Sequence, residues 1–357
     1  MAKNQASSHQ SSVKGPRHSV LLFHSERHVA LSLPMRPLLI VLLLLLPSAA
    51  QEAAKETTKE APSQKWPARH QTPKPTLKRL ADKDGATIWT TRHFIIVCEI
   101  GLPEPLLANL AQTMESVPLL LKKLPLPLWA PPKTEKAVVR LCADETSFVA
   151  RGGPLYAAGA YQPRSAEILI RGDILLNPPH AHSGRLRLGA DGDLLVHELT
   201  HLAMHQYVGT LPAWLTEGLA EYFSSHHLGK GGYDFSQSTR LIKQHIHKFY
   251  PIEHYPILTL RSLRVLASRS SQGWLETIKH SDPKDAYRPY ASSLLLTHYY
   301  LAGGTQRRMK LAEYLDQALA NRGKKRTAPL LTEHQAVEKK ITAFWKPKGI
   351  AIQFGNK

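Results

Sequence analysis

Apolar residues along the chain change their spacing near residue 171, and that change divides the sequence into two kinds of element. Before it they come in short β-branched runs, which predict strands within 86–100 and at 137–143, 157–162 and 166–171. An amphipathic pattern over 104–123 predicts one helix among them, kinked or broken at Pro118. Pro163, Arg164 and Ser165 interrupt two β-like runs, so residues 161–166 read as a hairpin connection. Beyond Ile170 the apolar residues recur every three to four positions. Helices are expected near 192–207, 212–226, 236–249, 258–268, 285–302, 306–321 and 332–345. Gly303, Gly304 and Gly323 serve as stops between them. Strands first and helices afterwards predict an α+β fold rather than a doubly wound sheet.

The ends of the chain read differently. At 36–50 a basic residue precedes an unbroken apolar run closed by Pro47 and small residues, the layout of a signal peptide. Ser48 and Ala50 suit cleavage, making Gln51 the first mature residue, and Met35 reads as the true start, with 1–34 not translated. Export to the periplasm or the exterior follows, so the membrane is met only transiently. A single N-terminal anchor is the alternative, although the run is short of the roughly 20 residues a span requires. Residues 51–85 hold few large apolar side chains and read as a flexible linker, which leaves 86–350 as the folded domain. The formal charge is +18, yet no basic segment is interleaved with aromatics as nucleic-acid modules require, so the charge reads as a solvated basic face. Cys98 and Cys142 both lie in strand-like runs, and export would permit a bridge between them or leave two buried thiols.

The chemistry concentrates in LLVHELTHLAMH. His197 and His201 sit four residues apart on a predicted helix, so both imidazoles leave one face and can share a metal ion. Glu198 adjoins the first of them, where its carboxylate can take a proton from an attacking water without binding the metal. In a chain with 19 histidines this pattern alone is not decisive. A second apolar helix, LPAWLTEGLAEYF, adds a carboxylate where a third ligand is needed, and three protein ligands leave a zinc position open. His180, His182, His205, His226 and His227 read as bystanders.

HELTH followed by WLTEG resembles the gluzincin zinc metallopeptidases, and in particular their small secreted members. The likeness extends over about residues 92–345, with specific motifs at 194–223 and weaker ones at 158–170 and 287–301. It implies a zincin-like (thermolysin-like) domain, Zn2+ as cofactor, and His197, His201 and Glu217 as its ligands. Only 15 residues separate His201 from Glu217, fewer than in larger relatives, and Glu221, with 19 between, competes for the place. The resemblance favours Glu217 as ligand, with Glu221 holding a ligand histidine through its other ring nitrogen. AYRPYASSLLLTHYYL is similar to the late helix that supplies an oxyanion-stabilising tyrosine, which implies Tyr290 or, one turn earlier, Tyr287. Pro289 predicts a helix starting near Arg288, with Tyr290 in its exposed first turn. The hairpin AAGAYQPRSAEILI offers a sheet edge for an extended peptide. The expected activity is hydrolysis of peptide bonds in a peptide or protein substrate, with no nucleic-acid partner. The alternatives are a zinc amidohydrolase acting on a non-protein or peptidoglycan amide, and a non-catalytic exported binding module of the same fold.

Overall fold

The computed structural model describes residues 66–155, 157–176, 192–249, 257–270, 273–274, 283–324 and 327–355. The signal-like run at 36–50, Met35, Gln51, His180 and His182 lie outside them. A short strand β1 (Arg69–Gln71) opens the described chain. Then β2 (Lys78–Lys83), β3 (Ala86–Thr90), β4 (Phe94–Cys98), β5 (Ala137–Cys142), β6 (Gly159–Gln162) and β7 (Glu167–Arg171) form one mixed sheet in the order β2-β3-β4-β5-β7-β6. The pairs β4–β5 and β5–β7 are parallel, and the others are antiparallel. The β-branched runs of β4, β5 and β7 occupy the middle because both of their faces are covered.

Helix α1 (Glu104–Leu121) links β4 to β5 and runs without a break through Pro118, which forfeits a single backbone bond near the helix end. Its apolar face and the inner face of the sheet (Phe94, Ile96, Val139, Leu141, Ile168 and Ile170) enclose the main core. On the outer face the short helix α2 (Glu145–Ala150) covers Cys142 and Leu169 with Phe148. The cysteines are therefore separated by the pleat. Cys98 stands opposite Leu141 in the parallel register and shares its face, so Cys142, the next residue, points away. Both are free and buried, and burial pushes the Cys98 thiol up to about 12 and that of Cys142 to about 11, so neither is a reactive thiolate.

After the one-turn α3 (Gly172–Leu176) come α4 (Gly192–Ala203), α5 (Ala213–His226), strand β8 (Gly232–Asp234), α6 (Ser238–Phe249), strand β9 (Ile257–Arg261), α7 (Leu263–Ser268), α8 (Pro283–Leu301), α9 (Thr305–Ala320), α10 (His334–Trp345) and strand β10 (Ala351–Gly355). A strand-rich first half and a helical second half make the fold α+β.

Four expectations need correction. The linker reading of 51–85 fails from Trp66 onward: its ring packs edge-on against Phe235 and Tyr222, with centroids 5.5 and 6.3 Å away. In the same stretch β1 pairs with β8, and β2 turns back on β3 through Asp84 and Gly85, both at positive φ. Every side chain of β2 is exposed, so backbone pairing alone makes it a strand and composition gives no sign of it. The helix expected at 258–268 is a strand followed by a helix: Leu258 and Leu260 alternate inward on β9, then the Ser262 hydroxyl caps the start of α7. Because β9 pairs in parallel with β10, the folded unit also extends past residue 350. Finally, α8 begins at Pro283 and carries Pro289 inside it, so Tyr290 is its eighth residue, half-buried, and not part of an exposed first turn.

Candidate metal centre

Helix α4 is buried on nearly every side, with Leu195, Val196, Leu199 and Leu202 in the core, and its polar stripe is the exception. That stripe carries His197 and His201, whose Nε2 atoms face each other 3.0 Å apart. Helix α5 crosses α4 and brings Glu217 to both: its Oε2 lies 3.3 Å from His197 Nε2 and 3.6 Å from His201 Nε2. A tetrahedral zinc ion with bonds of about 2.0–2.1 Å holds its donors roughly 3.3 Å apart. The three separations bracket that value, so the donors fit one ion in both chemistry and spacing. They are the one group of metal-binding geometry found among the described residues.

Glu221 lies one turn beyond Glu217 and contacts the opposite ring nitrogen, its Oε1 being 3.1 Å from His197 Nδ1. The other oxygen of Glu221 bonds His245 Nε2 at 2.7 Å. Glu221 therefore holds the tautomer and orientation of His197 from behind, and His245 on α6 holds Glu221. Burial by itself would depress the pKa of His197, but the hydrogen bonds to Glu217 and Glu221 outweigh it and keep it well above the ordinary value. Burial likewise opposes ionisation of Glu217, yet the neighbouring His201 and His197 bring its carboxyl down to about 2.

Glu198 stands apart from these pairs. It is buried, and burial raises its pKa against the pull of His197 and His201. The backbone N–H of Tyr161 on β6 donates to its carboxylate. A Cβ at Gly159 of the same strand would lie 3.1 Å from Glu198 Cγ, so this glycine is what lets β6 pass so near. Strand β6 ends the sheet, antiparallel to β7, and so the hairpin expected at 161–166 brings to the predicted base an edge that no other described strand pairs. A second tether joins them, because the Tyr161 hydroxyl and His205 Nδ1 lie 2.6 Å apart. His205, read as a bystander, thus ties the edge strand to the turn that follows α4.

The ring of Tyr290 lies 6.3 Å from that of His197. Tyr287 stacks behind Tyr290 at 6.3 Å and is more deeply buried, so of the two Tyr290 is nearer the predicted ligands. Trp274 abuts Tyr290 edge-on at 5.3 Å. Gly218 explains how α8 comes close enough. A Cβ there would lie 2.2 Å from Thr297 Oγ1 and 2.5 Å from the Ser293 carbonyl, and Tyr290, Ser293 and Thr297 follow one face of α8.

His245 and Trp274 were not anticipated. A signal for His245 exists, since it falls on the apolar stripe of α6 with Leu241, Ile242 and Ile246 and is itself buried. For Trp274 there is none. The chain matches no model of a known protein family, and no curated protein sequence matches it.

Proposed function

We propose that this chain is a zinc-dependent hydrolase of the gluzincin type, with a zincin-like fold, which cleaves peptide bonds. The observation that carries this is the convergence of His197, His201 and Glu217 at zinc-like separations beside a buried Glu198 that ligates nothing. His197, His201 and Glu217 would hold the zinc ion, which when bound would supply Lewis-acid chemistry toward water and a substrate carbonyl.

The residues divide the remaining work. Glu198 accepts the proton of the attacking water and returns it to the leaving amine, a role suited to a carboxylate whose pKa burial has raised. Tyr290 donates its hydroxyl proton to the oxygen on which charge develops. Outward backbone groups of β6 align an extended substrate, which favours a peptide over a compact amide. Export through the segment at 36–50 would place this activity outside the cytoplasm. No helix among the described residues is long and apolar enough to cross a membrane.

The deciding experiment replaces Glu198 with Gln in purified, zinc-loaded protein and measures zinc stoichiometry, melting temperature and peptide hydrolysis together. Zinc stays bound and the fold persists while turnover falls by about 10²–10⁴-fold. Full activity in that variant refutes the mechanism.

A further inference from the structure

About eight residues beyond Tyr290 on α8, some 12 Å by helical rise, lies a cavity apart from the candidate metal centre. It occupies about 370 Å³ between the end of α8, the start of α9 and helix α10. Tyr299, Phe344 and Trp345 form its flat walls, Arg307 and Lys340 lie at its rim, and its lining holds no carboxylate. The volume suits a small ligand, since such sites begin near 300 Å³.

His298 lines this cavity and is only 2% exposed, and neither of its ring nitrogens has a hydrogen-bond partner among the described residues. Its ring centroid lies 5.3 Å from that of Trp345 and 5.6 Å from that of Phe344. Both nitrogens are closed to solvent, so the imidazole backs the aromatic wall of the cavity. The imidazole is held neutral, its pKa pulled down to about 3 by burial first and then by His226, Lys348 and Arg307, so one nitrogen offers a proton and the other a lone pair. Arg307 spends Nε and Nη1 on the carbonyls of Gly303 and Tyr299 and stacks on the Tyr299 ring at 4.1 Å, while Nη2 is left available. Lys340 is exposed and makes no ion pair among the described residues.

We infer that this cavity binds a small carboxylate carried on a flat apolar body. The aromatic walls take the flat body, Arg307 and Lys340 take the carboxylate, and the His298 ring, packed against Phe344 and Trp345, senses the occupant from behind the wall. Such a group can be a free aryl acid or the aromatic C-terminal residue of a peptide. The site does not depend on the zinc centre or on hydrolytic activity.

The test is an NMR titration of the whole protein, following the imidazole Cε1–H signals, with the signal lost in His298→Phe assigned to His298. The probes are 3-phenylpropionate, its neutral amide, and N-acetylglycyl-phenylalanine with a free carboxylate. A saturable shift of the His298 signal is expected with both acids, with binding about tenfold weaker for the amide and for Lys340→Glu, as loss of a charge-assisted contact implies. Tighter binding of the dipeptide identifies a peptide end as the natural ligand, and tighter binding of phenylpropionate a free acid. Lys340→Glu changes an exposed side chain and leaves the core intact, and if His298→Phe fails to fold, His298→Gln supplies the assignment. No saturable shift, equal binding of acid and amide, or unchanged affinity in Lys340→Glu overturns the inference.

Discussion

Helices α5 and α8 run through two clusters of buried histidine that behave in opposite ways. At one end His197 lies against Glu217 and Glu221, and its pKa is held well above the ordinary value although burial opposes it. At the other, His226 and His298 lie among Tyr222, Phe235, Phe344 and Trp345, and burial brings them down to about 4 and about 3. His197 is somewhat less buried than the other two, but burial still opposes its charge, and it is the carboxylates, at 3.1 and 3.3 Å, that reverse the effect. The first arrangement favours positive charge and has donor spacing that could hold a metal ion. The second keeps imidazole neutral and polar inside an aromatic wall.

The contrast breaks most completely if its carboxylates are removed. Glu217→Ala should abolish stoichiometric zinc binding, measured by metal analysis after dialysis, because two imidazoles alone seldom hold the ion. Glu221→Ala should be milder, weakening zinc affinity by about 10–100-fold, since His197 keeps its ligand nitrogen and loses only its orientation. Competition titration against a chromophoric chelator separates the two, and the reverse order would hand the ligand role to Glu221.

Next in size is Gly218→Ala, which acts on both clusters because it forces α5 and α8 apart. With a Cβ 2.5 Å from the Ser293 carbonyl, overpacking should destabilise the protein by about 1–3 kcal/mol in urea unfolding. It should also draw Tyr290 away from His197 without removing a zinc ligand. Wild-type stability would show that α8 is not seated as closely as the structure has it.

The smallest effect concerns acid. A histidine whose folded pKa is depressed binds its proton more readily when unfolded, so it contributes stability above the unfolded value of about 6.5 and loses it as pH falls. For His226 and His298 the loss runs from about pH 6.5 toward pH 4 and pH 3, at up to about 1.4 kcal/mol per pH unit for each. In chelator-treated protein, His298→Phe should therefore lose less stability than wild type between pH 7 and pH 5. Parallel melting curves for the two would mean that His298 is not held neutral.

Much of the site was legible in the sequence because it is written in local geometry. The spacing of His197 and His201 places both rings on one helix face whatever surrounds them, and the spacing of Glu217 and Glu221 does the same for two carboxylates. That Glu217 reaches the Nε2 atoms and Glu221 the Nδ1 depends on how α4 and α5 cross, which no local spacing sets. Alternation likewise marked the inner strands, whose side chains meet the core directly, but it missed β2, which is held by backbone pairing. It misread 258–268, where a strand and a helix share one apolar run.

The sequence by itself thus determined which residues share a face: the two histidines of α4, the two glutamates of α5, and the alternating apolar positions of β4, β5 and β7. Tertiary structure alone decided which faces meet. It put Cys98 and Cys142 on opposite sides of the sheet, since the register that pairs Cys98 with Leu141 turns the next residue outward. It brought His245 to Glu221 across 24 residues of chain and Tyr161 to His205 across 44. It seated His298 against aromatic rings from α5 and α10. The physical reason is one of range. Helical and strand periodicities are fixed by backbone sterics within a few residues, whereas contacts between distant segments depend on how whole elements pack and on where a glycine such as Gly218 lets two backbones approach.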